Sequence, residues 1–349
     1  MSSTFARGGT SSQRPAERAH LPESAPPPLV SVVLTGRNDG YGGDFVGRFI
    51  RTLRFNHQHL RERGVPHEFV FIEWAPRSGV PLLAEVVLGE LPELDPGVCS
   101  WFVVDPAYQS ALSLNPRLEY MEFAAKNVGI RRARGRFILT SNCDVVLGRE
   151  VLERLAKAEL DDGTVYRALR LDLKLGADYG ALSWDVLEDI RNVEGRVGRL
   201  KPPLMTGGAG DFILADRLTY LRLQGFNEVY RLTRFGLDAN FLVKAHSAGV
   251  PIEDIGGPVY HINHAGSYRL SRRMYAGREG EAPYGDTRWP AFAVVYDNPP
   301  TWGLALAPAR HISHRCWRLE FSWSAVPPMV GLKGIATARP STPVATRAL

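Results

Sequence analysis

Residues 124–146, AAKNVGIRRARGRFILTSNCDVV, read as a helix, a turn and a buried strand that ends on Asn142-Cys143-Asp144. Gly135 breaks the helix. Arg136–Thr140 then forms the short apolar run expected of a central parallel strand. Open α/β sheets bind ligands at the carboxyl ends of their strands. A carboxylate placed there marks one wall of a candidate site, although a lone Asp also stabilises a following helix start.

The pattern extends in both directions from this segment. Upstream, Leu29–Leu34, Glu68–Ile72 and Ser100–Val104 predict three further strands. Helices are predicted over Asp44–Arg61, Pro81–Leu91 and Arg117–Arg134. Such alternation implies a parallel sheet with right-handed crossovers. Downstream, helices are predicted over Glu150–Ala158, Trp184–Val193, Arg217–Leu223 and Asp238–Ala248. Strands are predicted over Thr164–Leu173, Phe212–Ala215 and Pro251–Tyr260, and a Pro/Gly-rich loop over Lys201–Gly210.

The expected organisation is a Ser/Pro/Arg-rich disordered tail over 1–28 and one α/β domain over 29–270. An irregular extension with a disordered end follows over 271–349. Its Trp289, Trp302 and Trp317 form either a ligand platform or ordinary aromatic core packing.

The chain has 349 residues and is 44% hydrophobic, which suffices for a full core. Its net charge of +5 is spread along the chain, so no basic patch points to nucleic acid. Cys99, Cys143 and Cys316 lie far apart without a Cys-x-x-Cys pair. They form neither a disulfide framework nor a zinc motif, and a cytoplasmic setting is expected. Residues 1–28 contain no apolar signal core, and no run approaches the ~20 apolar residues of a membrane span.

Several segments carry candidate chemistry. Thr35-Gly36-Arg37-Asn38-Asp39 follows the first strand, where Arg37 suits a phosphate and Asp39 a base or ribose; the alternative is an ordinary capped turn. Met121, Ala124, Ala125, Val128 and Ile130 form a helix core stripe that leaves Lys126 and Asn127 toward the loops. Asp144 offers a hard oxygen to Mg²⁺ or Mn²⁺, with the Asn142 carbonyl beside it. Cys143 turns into the core.

Gly207-Gly208-Ala209-Gly210-Asp211 permits close backbone approach to a ligand, with Asp211 orienting an acceptor hydroxyl. Asp238 opens a helix, either as a general base or as a plain N-cap. His261 and His264, three apart after a strand, are metal ligands or surface histidines.

Taken together, TGRND at 35–39, residues 124–144, GGAGDF at 207–212, LRLQGFNEVY at 221–230, FGLDANF at 235–241 and YHINH at 260–264 resemble an inverting family-2-type glycosyltransferase. The C-terminal half is similar to that of β-1,4-galactosyltransferases and chondroitin polymerases. The resemblance implies a GT-A fold, an open, mostly parallel twisted sheet flanked by helices in a single main domain. It also implies transfer of glucose or galactose from a UDP-sugar to an acceptor hydroxyl with inversion.

Residue by residue, the resemblance assigns Thr35, Arg37, Asn38, Asp39, Lys126, Asn127, Asn142 and Gly208 to the sugar nucleotide. Asp144, with His261 or His264, would hold Mg²⁺ or Mn²⁺. Asp238 would be the base and Asp211 a second catalytic carboxylate. Gly225-Phe226-Asn227-Glu228 would lie on the acceptor side. The acceptor would be a saccharide or a small natural product, as in validamycin-type aminocyclitol glucosyltransferases. The chain departs from the family pattern at Asn142, in the first D-x-D position, and at Leu237, in the acidic pair. These departures keep open a non-catalytic saccharide-binding or assembly subunit with the same fold. A nucleotidyltransferase is the other alternative.

Overall fold

Val30–Gly36 (β1) is buried along its whole length, which requires cover on both faces of the sheet. In the computed structural model the described residues are 26–328, apart from 93, 95–96, 175–178, 198–199 and 266–294. Helix Phe45–Glu62 (α1) follows β1, capped by the Asp44 side chain on the Gly47 amide. Then come His67–Trp74 (β2), Leu83–Glu90 (α2), Cys99–Val104 (β3) and Pro106–Leu112 (α3). The expected helix 117–134 is shorter, Glu122–Arg132 (α4), and leads to Phe137–Ser141 (β4).

After Asp144 the chain re-enters the sheet as Val145–Leu147 (β5), then forms Arg149–Ala156 (α5) and Val165–Leu173 (β6). The expected helix 184–193 is only Trp184–Glu188 (α6), and Val193–Val197 (β7) continues as a strand. Gly195, poorly suited to a helix, sits in this strand. The remainder comprises Phe212–Asp216 (β8), Arg217–Arg222 (α7), Leu237–Ser247 (α8), Ile252–His261 (β9), Ala309–Ser313 (β10) and Cys316–Leu319 (β11).

The strands form one eleven-stranded sheet ordered β10-β11-β3-β2-β1-β4-β8-β6-β9-β5, with β7 paired to β6. The α/β class and the open sheet flanked by helices agree with expectation. From β11 through β4 the pairings are parallel. Antiparallel pairings enter with β8 and β5. Residues 309–319, expected within an irregular extension, instead pair with β3 and form one edge of this sheet. Cys316 and Leu319 are buried there, so apolar burial fixes the edge.

One face of the sheet packs on α1, α2 and α5 through Phe49, Leu53, Val87 and Leu152. The other packs on α4, α7 and α8 through Val128, Ile130, Tyr220 and Phe241. Trp302 is buried beneath Arg131, and Trp317 stacks on Phe102, so both pack in the core as one expectation had it. Trp289 lies outside the described residues. No described helix is long and apolar enough to cross a membrane.

Helix α1 also carries buried polar groups that shape the segment after β4. Asn56 donates to the Val145 carbonyl at 2.9 Å and accepts from the Leu147 amide at 3.0 Å. The Thr52 hydroxyl donates to the Cys143 carbonyl. Asn56→Ala strands two buried backbone groups and should cost about 3 kcal/mol of unfolding free energy. Urea denaturation checks this; a loss within error of zero would show that the segment holds itself.

Candidate metal and transfer site

Strand register assembles the site from distant segments. Val145 lies opposite His261 across the β5–β9 pair, which places Asp144 beside that imidazole. Asp172 of β6 is the parallel partner of His261. Ser141 of β4 lies opposite Phe212, bringing Asn142 to Asp211.

Asp144, His261 and His264 are buried, and one ligand atom from each lies within 4.8 Å of the others. Asp144 Oδ2 stands 3.1 Å from His264 Nε2 and 3.6 Å from His261 Nε2. The His261 Nδ1 lies 2.9 Å from Asp172 Oδ1. An ionised carboxylate only accepts, so toward Asp172 Nδ1 carries the hydrogen; Arg170 also lies 2.9 Å from Nδ1, and with a cation bound Nε2 would offer its lone pair. His264 Nδ1 likewise donates to the Ala265 carbonyl at 2.9 Å. Both Nε2 atoms therefore face Asp144, and the set fits a divalent cation with positions left for a diphosphate. Both histidines converge on Asp144, rather than one of the two.

The electrostatics agree with this geometry. Burial alone would raise the Asp144 carboxyl, but His261 and His264 hold it well below the usual carboxylate range. Burial would lower His261, but Asp144 and Asp172 lift it to about 9. Without a cation the imidazole carries a proton that a metal must displace.

Arg170 extends the network, bridging Asp211 at 2.6 Å and Asp172 at 2.7 Å. Arg170 and Asp172 alternate with leucines along β6, so the sequence signal was a polar face on a buried strand. Neither was singled out, because their partners are far away in the chain. Asp172→Ala should weaken Mn²⁺ binding by roughly 10- to 100-fold while the fold persists. Titration of Mn²⁺ followed calorimetrically checks this, and unchanged affinity would remove Asp172 from the site.

The expected nucleotide contacts divide. Arg37 pairs with Asp39 at 2.8 Å and donates to the Glu119 carbonyl, next to the loop whose Tyr41 ring packs on His264. Asn38 donates to the Pro81 carbonyl in the same region. Gly208 is half-buried in the left-handed region at φ 58°, in a loop facing Asp238.

Four others have their polar groups engaged inside the protein. The Thr35 hydroxyl is taken by the Ile72 carbonyl and Tyr120. Lys126 points toward the loops as expected but is fully buried there, and its ammonium hydrogens go to Glu122, Asn142 and the Gly210 carbonyl. Asn142 is occupied by Lys126 and Asp211, so its carbonyl does not face the cation. Asn127 is fully buried and binds Phe226 and Glu228. A second role for these groups would strand a buried polar partner.

The expected acceptor segment 225–228 is likewise structural. Asn127 and Asn298 bind Phe226, and Glu228 accepts from the Gly303 amide. Asp211 is also engaged within the protein. One of its oxygens accepts from Asn142 and the other from Arg170, so the carboxylate is anchored on both sides.

Asp238 differs. It is half-buried at the start of α8, and its Oδ2 lies 3.4 Å from where a Cβ on Gly210 would stand. Burial, with a further push from Glu122, raises its carboxyl above the usual range. A continuous path of polar contacts joins Asp144 to this corner through His261, Asp172, Arg170, Asp211, Asn142, Lys126 and Glu122.

Glu73, also not anticipated, ends β2 with burial raising its carboxyl to about 7. Its Oε2 accepts from the Leu83 amide, and the Asn38 backbone also favours the ionised form against burial.

No protein-family model matches the chain, and no curated protein matches it in sequence. Among solved structures it aligns with GalNAc-T7 bound to UDP, GalNAc and Mn²⁺, at TM-score 0.46 and 16% identity over 74% of this chain and 52% of that one. The chain thus spans about half the length of that protein. It also aligns with the catalytic domain of Drosophila β1,4-galactosyltransferase 7 in complex with xylobiose. That match has a TM-score of 0.36 and 11% identity over 85% of this chain and 96% of that one.

Proposed function

We propose that this chain is a metal-assisted, inverting glycosyltransferase of the GT-A type. In this reading it moves glucose or galactose from a UDP-sugar to a hydroxyl of a saccharide or of a small natural product such as an aminocyclitol. The observation that carries the reading is the Asp144/His261/His264 group at the strand ends, together with the raised carboxylate Asp238, whose charged neighbours Glu122 and Lys126 stand at the far end of the polar path from that group.

A cation held by Asp144, His261 and His264 supplies neutralisation of the charge on the departing diphosphate. Asp172 and the Ala265 carbonyl fix the imidazole tautomers that make this possible. Asp238 accepts the proton of the acceptor hydroxyl as that oxygen bonds to the anomeric carbon and the bond to the diphosphate oxygen breaks. The 207–210 loop lies against Asp238 and narrows the approach to it.

The test is a panel of sugar nucleotides scored for nucleoside diphosphate release with and without Mn²⁺. UDP release that requires the cation and an acceptor supports the reading. Pyrophosphate release from a nucleoside triphosphate would instead indicate nucleotidyl transfer, and binding without turnover a saccharide-binding subunit.

A further inference from the structure

Arg167 is fully buried on β6, yet among the described residues no carboxylate lies within ion-pair distance of it. Its guanidinium donates instead to three carbonyls of one loop: Met205 at 3.2 Å, Gly207 at 2.9 Å and Ala209 at 3.3 Å. Lys126 takes the Gly210 carbonyl at 2.8 Å, and the Ser141 hydroxyl takes that of Asp211 at 2.7 Å. The loop is thus held by its inward-turned oxygens.

The amides of Thr206, Gly207 and Gly208 have no acceptor among the described residues, and these three residues are half-buried. Gly208 in the left-handed region at φ 58° turns the chain there, a conformation open to glycine at little cost. Gly210 then stands against Asp238 so closely that an added Cβ would lie 3.4 Å from its Oδ2. A buried cation is expensive, and only a planar fork of five donors reaches carbonyls spread along a loop. A lysine at this place carries the same charge but cannot span them.

We propose that Arg167 is a positioning residue for the transfer, gripping the inner carbonyls of 205–209 so that the loop amides and Asp238 meet the acceptor in one fixed arrangement. This rests on the transferase reading above. Arg167 touches neither the Asp144 group nor, by hydrogen bond, Asp238; it acts through the loop. The nearest negative charges, Asp238 and Asp211, favour its protonated form against burial.

The experiment compares wild-type enzyme with Arg167→Lys and Arg167→Ala. Thermal unfolding, UDP binding with Mn²⁺, hydrogen exchange of the peptide over 204–212 and steady-state kinetics are measured on each. In Arg167→Lys, kcat should fall roughly 10- to 100-fold, with KM for the donor little changed. The 204–212 amides should exchange at least about tenfold faster while the rest of the sheet keeps its protection. Guanidinium below denaturing concentration should restore part of the turnover of Arg167→Ala by refilling the fork.

Wild-type kcat together with wild-type loop protection in Arg167→Lys would overturn the proposal. So would a fall in kcat that only tracks the fraction unfolded. If Arg167→Lys does not fold, Arg167→Gln, neutral and shorter but still a donor, is read against the same outcomes. If wild-type enzyme releases no nucleoside diphosphate from any sugar nucleotide, the transferase reading fails. Loop exchange then still reports whether Arg167 holds the loop.

Discussion

Replacing Asp144 with Ala should abolish measurable Mn²⁺ binding and lower kcat/KM by about 10³-fold, or ~4 kcal/mol of transition-state stabilisation. The reason is local charge. Asp144 supplies the negative ligand of the group, and without it a cation would meet two neutral imidazoles in a buried setting. The effect should depend on pH in a defined direction. His261 in the metal-free protein is raised to about 9, so below that value a cation must displace a proton. Wild-type Mn²⁺ affinity should therefore climb by up to roughly tenfold per pH unit from neutral pH and level off above about 9.

The same shift bears on stability. A raised imidazole contributes stability that is complete below its ordinary value of 6.5 and lost as pH rises through about 9. Metal-free enzyme should accordingly unfold at lower temperature at pH 9 than at pH 6.5, and Mn²⁺ should reverse the order. Calorimetric titration and thermal unfolding at three pH values measure both. An Asp144→Ala protein that binds Mn²⁺ with wild-type affinity and pH slope would dismantle the metal assignment.

Asp238→Asn should lower kcat by about 10³-fold while leaving UDP and Mn²⁺ affinity within roughly threefold of wild type. The amide keeps the size and the helix-start position of the side chain but has no basic oxygen to take the hydroxyl proton. Burial and Glu122 raise the wild-type carboxyl, so the acidic limb of the kcat profile should lie above the ordinary carboxylate value of 3.8. That limb should disappear in the variant. Asp238→Glu, with the carboxylate displaced by one methylene, should recover part of the rate. Full turnover in Asp238→Asn would transfer the base role elsewhere, with Glu122, its charged neighbour, as the next group to replace.

Stability effects of these two substitutions should differ in sign. Asp144 is an ionised carboxylate favoured by His261 and His264, so its loss leaves the His261 imidazole with Asp172 as its one remaining carboxylate partner. Asp238 is disfavoured as an anion by burial, so its amide should leave the protein as stable or slightly more stable. A thermal shift in each variant separates damage to the fold from damage to the reaction.

Local sequence alone determined most of the strand and helix order, since apolar period and Gly/Pro punctuation act over a few residues. Through the family resemblance it also singled out Asp144 beyond a strand, Asp238 at a helix start and the His261/His264 pair at a strand end, each of which local position alone left open. Only the tertiary structure decided which of them meet. His261 reaches Asp172 and Arg170 across some ninety residues of chain, through β6–β9 register that no local period encodes.

Lys126 and Asn127 show the same limit from the other side. Their helical position left them free to face a ligand, but the packing of α4 against the 210 and 226 segments buried both and used every polar atom described for them. Residues 309–319 carry too few apolar positions to declare a strand. The exposed edge of β3 supplies the missing hydrogen bonds, and burial of Cys316 and Leu319 does the rest.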